Sequence, residues 1–294
     1  MRILRVLFII LTVIFAAGVV SGSQSADPLI VEHSSRDSKM VALTFDACPT
    51  GHDDEYDERV IEVLTREKVP ATLFLSGRWV EKNSERAKYL ADQPQFEIAN
   101  HAFWHPHMLE KDDERILREL KRTQAIIKKV TGKRPKYFRP PFGEVDERLA
   151  RLASQAGLVT IQYDIESGDP DPGLSAKRIA RSVVEEAKGG SIVVLHMNKN
   201  GVRTAEALPA IIWGLRERGF ELVTVGEMLN MRSRSRQAGT EAQRKAEQQE
   251  VQGEMSYSTP SIRPVSAPAL VSERTDTMAD AAPTGTGQIP PGLR

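Results

Sequence analysis

Apolar positions between residues 38 and 230 follow two alternating patterns. Runs of strand length occur at 40–46 (MVALTFD), 71–75, 95–99, 136–139, 158–164, 191–196 and 221–225. Between most of them, apolar residues recur at helical spacing, most clearly over 57–68, 79–92, 110–130, 145–156, 175–188 and 203–218. Strand-length runs separated by helical stretches indicate βαβ units and a parallel sheet, either doubly wound or closed as a barrel. Local signals agree. Asp57 is placed to cap a helix whose apolar stripe is Val60, Ile61 and Leu64. Gly132, Gly157 and Gly219 are stop signals near helix ends, and Gly189-Gly190 precedes SIVVLH.

The two ends break this pattern. Arg2 and Arg5 precede an uncharged apolar run from Val6 to Val20, followed by small residues around Ser23–Ala26. That is the layout of a secretory signal peptide over 1–26. The run is shorter than the ~20 apolar residues of a membrane span, so an uncleaved membrane anchor is the second reading. Either one implies export to the periplasm, cell envelope or exterior. Residues 231–294 contain no Phe or Trp and few aliphatic residues, with scattered Pro and Gly. Such a segment buries too little apolar surface to offset chain entropy, so a disordered tail is expected. Arg232, Arg234 and Arg236 open it, as a solvated linker or a contact to an anionic envelope surface.

Composition removes several function classes. The 40 Lys+Arg balance 40 Asp+Glu, and the sequence pI is near 7.0. This speaks against a nucleic-acid partner, which usually calls for a basic excess. Cys48 is the only cysteine, which rules out an internal disulfide, a multi-cysteine zinc knuckle and an iron–sulfur site. A metal is therefore expected on His and carboxylates.

Reactive side chains gather at the C-terminal ends of the expected strands. Asp46 ends the first, His101 follows the third, Arg139 ends the fourth, Asp164 the fifth and His196 the sixth. In parallel α/β folds these ends converge on one ligand-binding face. The stretch NHAFWHPHM places His101 and His105 four residues apart, a spacing at which both imidazoles can face one ion. His107 is read as a surface residue. His33 has no supporting context, and His52 is only a distant ligand candidate.

With TFD, NHxxxH, FRPPFG and VVLH in this order and spacing, residues 38–230 resemble polysaccharide deacetylases of the NodB-homology type, carbohydrate esterase family 4. The resemblance implies a distorted (β/α) barrel of about seven parallel strands in a single domain. It implies removal of N-acetyl groups from an N-acetylated polysaccharide or oligosaccharide, of chitin or peptidoglycan type, with a divalent metal, zinc first. Asp46 matches the catalytic base, Arg139 the arginine that holds it, and His196 the catalytic acid. His101 and His105 match the metal-ligand histidines. Phe142 stands where a Tyr is usual, at a position whose backbone N–H helps bind the oxyanion.

Two departures bear on the chemistry. Where the family has two adjacent aspartates, the second a metal ligand, this chain reads Asp46-Ala47. Candidates for the missing ligand are, in order, a loop carboxylate (Asp53 or Asp54), Asp46 itself, a weak two-histidine site, and Cys48. In YDIESGDPDP, Asp164 fits the first of the family's aspartate pair and is expected to assist catalysis, while Ser167 and Gly168 replace the following Asp and Trp. Asp169 lies two residues late, either as a substitute that tunes His196 or as a turn former before Pro170. Trp104 offers a sugar-stacking face or packs in the core. The rival readings are a hydrolase of another amide or an O-acetyl ester, and a weak or inactive relative that only binds glycan.

Overall fold

The computed structural model describes residues 30–49 and 56–230, with 240, 241, 243–245 and 248 beyond them. The leader 1–26 and the loop residues His52, Asp53 and Asp54 lie outside the described residues. The chain divides into two units, the first ending at Thr240 and the second beginning at Glu241. In the second, the residues described are helical, and Lys245 pairs with Glu241 one turn earlier at 3.3 Å. Glu241, Gln243, Arg244 and Lys245 are strong helix formers. The remaining residues of that tail lie outside the described residues.

The first unit alternates strands and helices: β1 (Ile30–Val31), β2 (Met40–Ala47), α1 (Glu58–Arg66), β3 (Ala71–Leu75), α2 (Gly77–Lys82), α3 (Ser84–Asp92), β4 (Phe96–Asn100), α4 (Asp113–Thr131), β5 (Tyr137–Phe138), α5 (Glu147–Gln155), β6 (Val159–Ile161), β7 (Ile165–Glu166), α6 (Ala176–Glu186), β8 (Ser191–His196), α7 (Thr204–Glu217) and β9 (Glu221–Leu222). The strands pair in the order β1-β6-β5-β4-β3-β2-β8-β7, with β9 against β2, and every one of these pairings is parallel. After β1, Ser34 N–H donates to the Gly190 carbonyl (2.8 Å) and His33 bridges to Ser191. The segment after β1 thereby joins the β6 edge to β8 and curls the sheet into a distorted barrel. Gly189 permits this contact, because a Cβ there would lie 2.1 Å from the Ser38 carbonyl oxygen.

The two-residue period of the strands sorts side chains into two layers. From β2, Val41, Leu43, Phe45 and Ala47 join the apolar layer beneath the helices. Met40 and Ala42 join the barrel interior with Phe74, Ala99, Tyr137, Ile161 and Ile192. The next inward positions at the C-terminal ends are therefore polar: Asp46 on β2, His101 after β4, Arg139 after β5 and His196 on β8. The barrel packs apolar residues through its body and delivers its reactive groups at one rim.

Three elements depart from the expected pattern. The short strand β1 carries too little apolar sequence to be singled out. The helix expected over 79–92 is two helices that meet at Asn83, whose backbone (φ −118, ψ 45) leaves the helical region. The Asn83 side chain donates to the Trp79 carbonyl and closes the first of them. The run 158–164 is not one strand, since β6 ends at Ile161 and β7 begins at Ile165.

Candidate active site

Asp46, Cys48, His101, His105, Arg139 and His196 line one cavity of about 210 Å³ at the rim of the barrel. Asp46 is buried, and its Oδ1 accepts from Arg139 Nη1 at 2.8 Å. Arg139, itself fully buried, lies over the Phe74 ring at 4.1 Å, so its guanidinium has little freedom to turn. Burial alone would raise the Asp46 pKa. The charges of Arg139, His101 and His196 and the Arg139 hydrogen bond outweigh it and hold the carboxyl below its ordinary value.

Asp46 and His196 sit abreast on paired strands. Asp169, fully buried, accepts from the His196 backbone N–H (2.7 Å) through Oδ2 and meets His196 Nδ1 (2.9 Å) through Oδ1. A carboxylate at Nδ1 calls for a proton on that nitrogen and leaves Nε2 for the cavity. Ser167 and Thr204 hydroxyls also donate to Asp169. Burial alone would lower the His196 pKa, but hydrogen bonds to Asp169 and Cys48 and the charges of Asp169 and Asp46 push it up to about 10. The structure thus favours the tuning role for Asp169 over a mere turn former.

Asp164 is not part of this cluster. Its carboxylate accepts from the Ile192 N–H (2.7 Å) and the Ser191 hydroxyl (2.8 Å) and pairs with Arg36 (2.9 Å). Ile192 lies four residues before His196 on β8, about 13 Å along the strand. The expected catalytic role of Asp164 assumed that 158–164 is one strand ending at the rim. Because the chain breaks at Ile161 and starts β7 after Asp164, this residue ties the beginnings of β7 and β8 together instead.

The two histidines do converge. His101 Nδ1 donates to the Arg139 carbonyl (2.8 Å), which points Nε2 toward Asp46 Oδ2 (3.7 Å) and Cys48 Sγ (3.6 Å). The His101 and His105 rings meet edge to face at 4.8 Å. The ligand atoms of Cys48, His101 and His105 all lie within 4.8 Å of one another, the one such group among the described residues. A His with one nitrogen on a backbone carbonyl is oriented as metal-ligating histidines are, so these residues fit a divalent metal. The expectation of His and carboxylate ligands alone is thereby widened to include a thiol. Burial alone would raise the Cys48 pKa. Hydrogen bonds from His101, His105 and His196 and the His101 charge reverse it and pull the thiol well below its ordinary value.

The loop that carries both histidines is held from α4. Glu119, buried on that helix, accepts from the N–H groups of Phe103 (2.9 Å) and Trp104 (2.8 Å). Ala102 and His105 adopt left-handed backbone (φ 56 for each), as does Phe142 (φ 59). Such conformations in residues other than glycine need firm support and gather at functional sites. Sequence reasoning missed Glu119. Its signal was a lone carboxylate on the face of α4 that buries Ile116, Leu120 and Thr123. His107 stacks on Phe142 (4.1 Å, 11°) and meets Glu144 at 3.0 Å, at the cavity's edge. Trp104 is half exposed beside Arg78 and Arg122, which sets aside core packing. Asp57 caps α1 as expected, and His33 contacts the Ser34 carbonyl away from the cavity.

The family model for polysaccharide deacetylases matches residues 33–161. A peptidoglycan-N-acetylglucosamine deacetylase of Bacillus cereus is 32% identical over 195 residues, covering 65% of this chain and 88% of the relative. The chain belongs to the polysaccharide deacetylase family. It is also 29% identical over 210 residues to the Bacillus subtilis protein YlxY, 70% of this chain but only 62% of that relative's length. Among solved structures, a family pseudoenzyme from Bacillus anthracis superposes with a TM-score of 0.62 at 28% identity, covering 68% of each chain. Family membership therefore includes members described as deacetylases and one described as a pseudoenzyme, and the residues at the rim decide between them.

Proposed function

We propose that this protein is a metal-dependent hydrolase that removes N-acetyl groups from an N-acetylated glycan of chitin-oligosaccharide or peptidoglycan type. The observation that carries this reading is the adjacent pair of opposite character: Asp46, kept ionised by Arg139, beside His196, kept protonated by Asp169. A protein that only bound glycan would gain little from lining up these four charged groups, three of them buried, in this order. The deacetylase relatives support the substrate class.

His101 and His105 would hold the metal. Bound there, a divalent metal would polarise the amide carbonyl and lower the pKa of a bound water far below its ordinary value, toward about 7. Asp46 accepts the proton of the attacking water as its oxygen bonds to the acetyl carbon. The Phe142 backbone N–H, at the position the family resemblance implies, would receive the oxyanion. His196 Nε2 gives its proton to the sugar nitrogen as the C–N bond breaks, so acetate and a free amine leave. Arg139 and Asp169 touch no reacting atom. They fix the orientation and protonation state of the two residues that do.

A second reading, a weak relative that binds glycan without turnover, draws on Ala47 and on the pseudoenzyme neighbour. Acetate release from N-acetylated oligosaccharides by the wild type, Asp46→Asn and His196→Ala tests the first against the second. Release by the wild type, and its near loss in both variants, is expected. Glycan binding with no acetate from any of the three establishes the second reading. Export of the chain, by a cleaved leader or an N-terminal anchor, is part of the same proposal and follows from residues 1–26 alone.

A further inference from the structure

Residues 46–48 are held at three consecutive carbonyls. Asp46 O accepts from Met197 N–H (3.1 Å), Ala47 O from Ser76 N–H (3.2 Å) and Cys48 O from the Asn198 side-chain amide (2.6 Å). Asn198 is itself fully buried. The backbone after β2 is therefore fixed, and strand alternation assigns its side chains. Ala47 lies in the apolar layer under the helices, while Asp46 and Cys48, two residues apart, share the cavity side. Cys48 Sγ stands 3.6 Å from the Nε2 that His101 presents, and its ligand atom clusters with those of both histidines. A small apolar residue at 47 thus coincides with a sulfur donor at 48.

We propose that Cys48 is the third protein ligand of the metal, giving a Cys-His-His site in place of a carboxylate-His-His one. This deepens the deacetylase reading and rests on its metal dependence. On ligation the Cys48 S–H bond breaks, its proton passes to solvent and the sulfur's electron pair forms the bond to the metal. Three protein ligands leave a fourth position open, the arrangement of catalytic rather than structural zinc sites. A thiolate with two imidazoles selects zinc and cobalt over magnesium, calcium and manganese, which favour oxygen donors.

The full chain, stripped by chelation and reloaded, tests this without relying on turnover. X-ray absorption of the zinc form should show one sulfur neighbour at about 2.3 Å beside nitrogen neighbours at about 2.0–2.1 Å. The cobalt form should show a thiolate-to-metal charge-transfer band. Cys48→Ser should lose both signatures and weaken zinc by more than the roughly 10–100-fold that loss of an outer partner costs. Cys48→Asp should keep one metal per chain, lose the sulfur signatures and accept manganese more readily. It also shows that the position, and not a damaged fold, is read. Metal bound by the wild type without a sulfur neighbour, or bound equally by Cys48→Ser, overturns the proposal. So does a wild type that binds no metal. Acetate release from the same samples reports separately on the deacetylase reading, which stands if acetate is released by protein whose metal has no sulfur neighbour.

Discussion

Asp169 binds both the backbone N–H and the ring of His196, and the carboxylate's charge sets which form of the imidazole the cavity sees. A general acid works while it is protonated, so the alkaline limb of kcat/KM should follow the His196 pKa of about 10. Asp169→Asn keeps the shape and removes the charge, so that limb should move down toward the unperturbed value of about 6.5. An unmoved limb would remove Asp169 from this role. The same shift links to stability. The folded-state pKa lies above the unfolded one, so its contribution is fully present below about pH 6.5. It is lost as pH rises through about 10. Urea unfolding of metal-free protein should show this decline, with a shallower slope in Asp169→Asn. Gly201 guards the same contact. A Cβ there would lie 2.9 Å from Asp169 Oδ2 and 2.1 Å from Thr204 Oγ1. Gly201→Ala should displace the carboxylate and lower kcat by about 100-fold, the cost of a misplacement near 1 Å. Unchanged kcat in a folded variant would show that Asp169 tolerates the displacement.

Among the elements, α4 and the β7–β8 pair carry distinct duties. Glu119 on α4 accepts from the N–H groups of Phe103 and Trp104, which lie between His101 and His105. Glu119→Ala should free that loop and weaken zinc binding roughly 10–100-fold, as loss of an outer partner does. Calorimetric titration with zinc measures it, and wild-type affinity in the variant would place the loop's support elsewhere. Asp164 serves β7 and β8. Asp164→Ala leaves the buried Ile192 N–H without its acceptor, and stability should fall by about 1–3 kcal/mol with kcat/KM unchanged. A selective loss of kcat/KM would return Asp164 to the catalytic group. The sequence exposed these elements unevenly. Six of the seven strand-length runs were legible as single strands because continuous apolar stretches stand out between amphipathic helices. The breaks at Asn83 and after Ile161 were not, because each lies inside a run whose apolar pattern continues across it. Specific hydrogen bonds decide there: the local Asn83 side chain closing α2, and the main chain of β8 receiving β7.

For the whole molecule, the rim was the most legible feature, since inward parity on a parallel barrel turns strand-end residues into neighbours. Asp46, His101, Arg139 and His196 were each readable from strand position and meet in one cavity. Cys48 is less legible as a ligand, although its spacing of two from Asp46 puts both on one face. The doublet Asp-Ala drew attention to what was missing at 47 rather than to what stood at 48. Asp169 was harder to place, because the loop geometry that brings it under His196 has no periodic signature. The closure by the segment after β1 was beyond the sequence, since two residues of strand carry no detectable period.

The deacetylase account rests most directly on acetate release by the full chain as metal is restored. Protein stripped by chelation and titrated with zinc should release no acetate from N-acetylated oligosaccharides at the outset. Release should then rise with added zinc and level off at a stoichiometric amount, and His101→Ala with His105→Ala should stay silent throughout. Bound zinc and bound glycan with no acetate at any occupancy would contradict the account and leave a protein that recognises its glycan without cutting the amide.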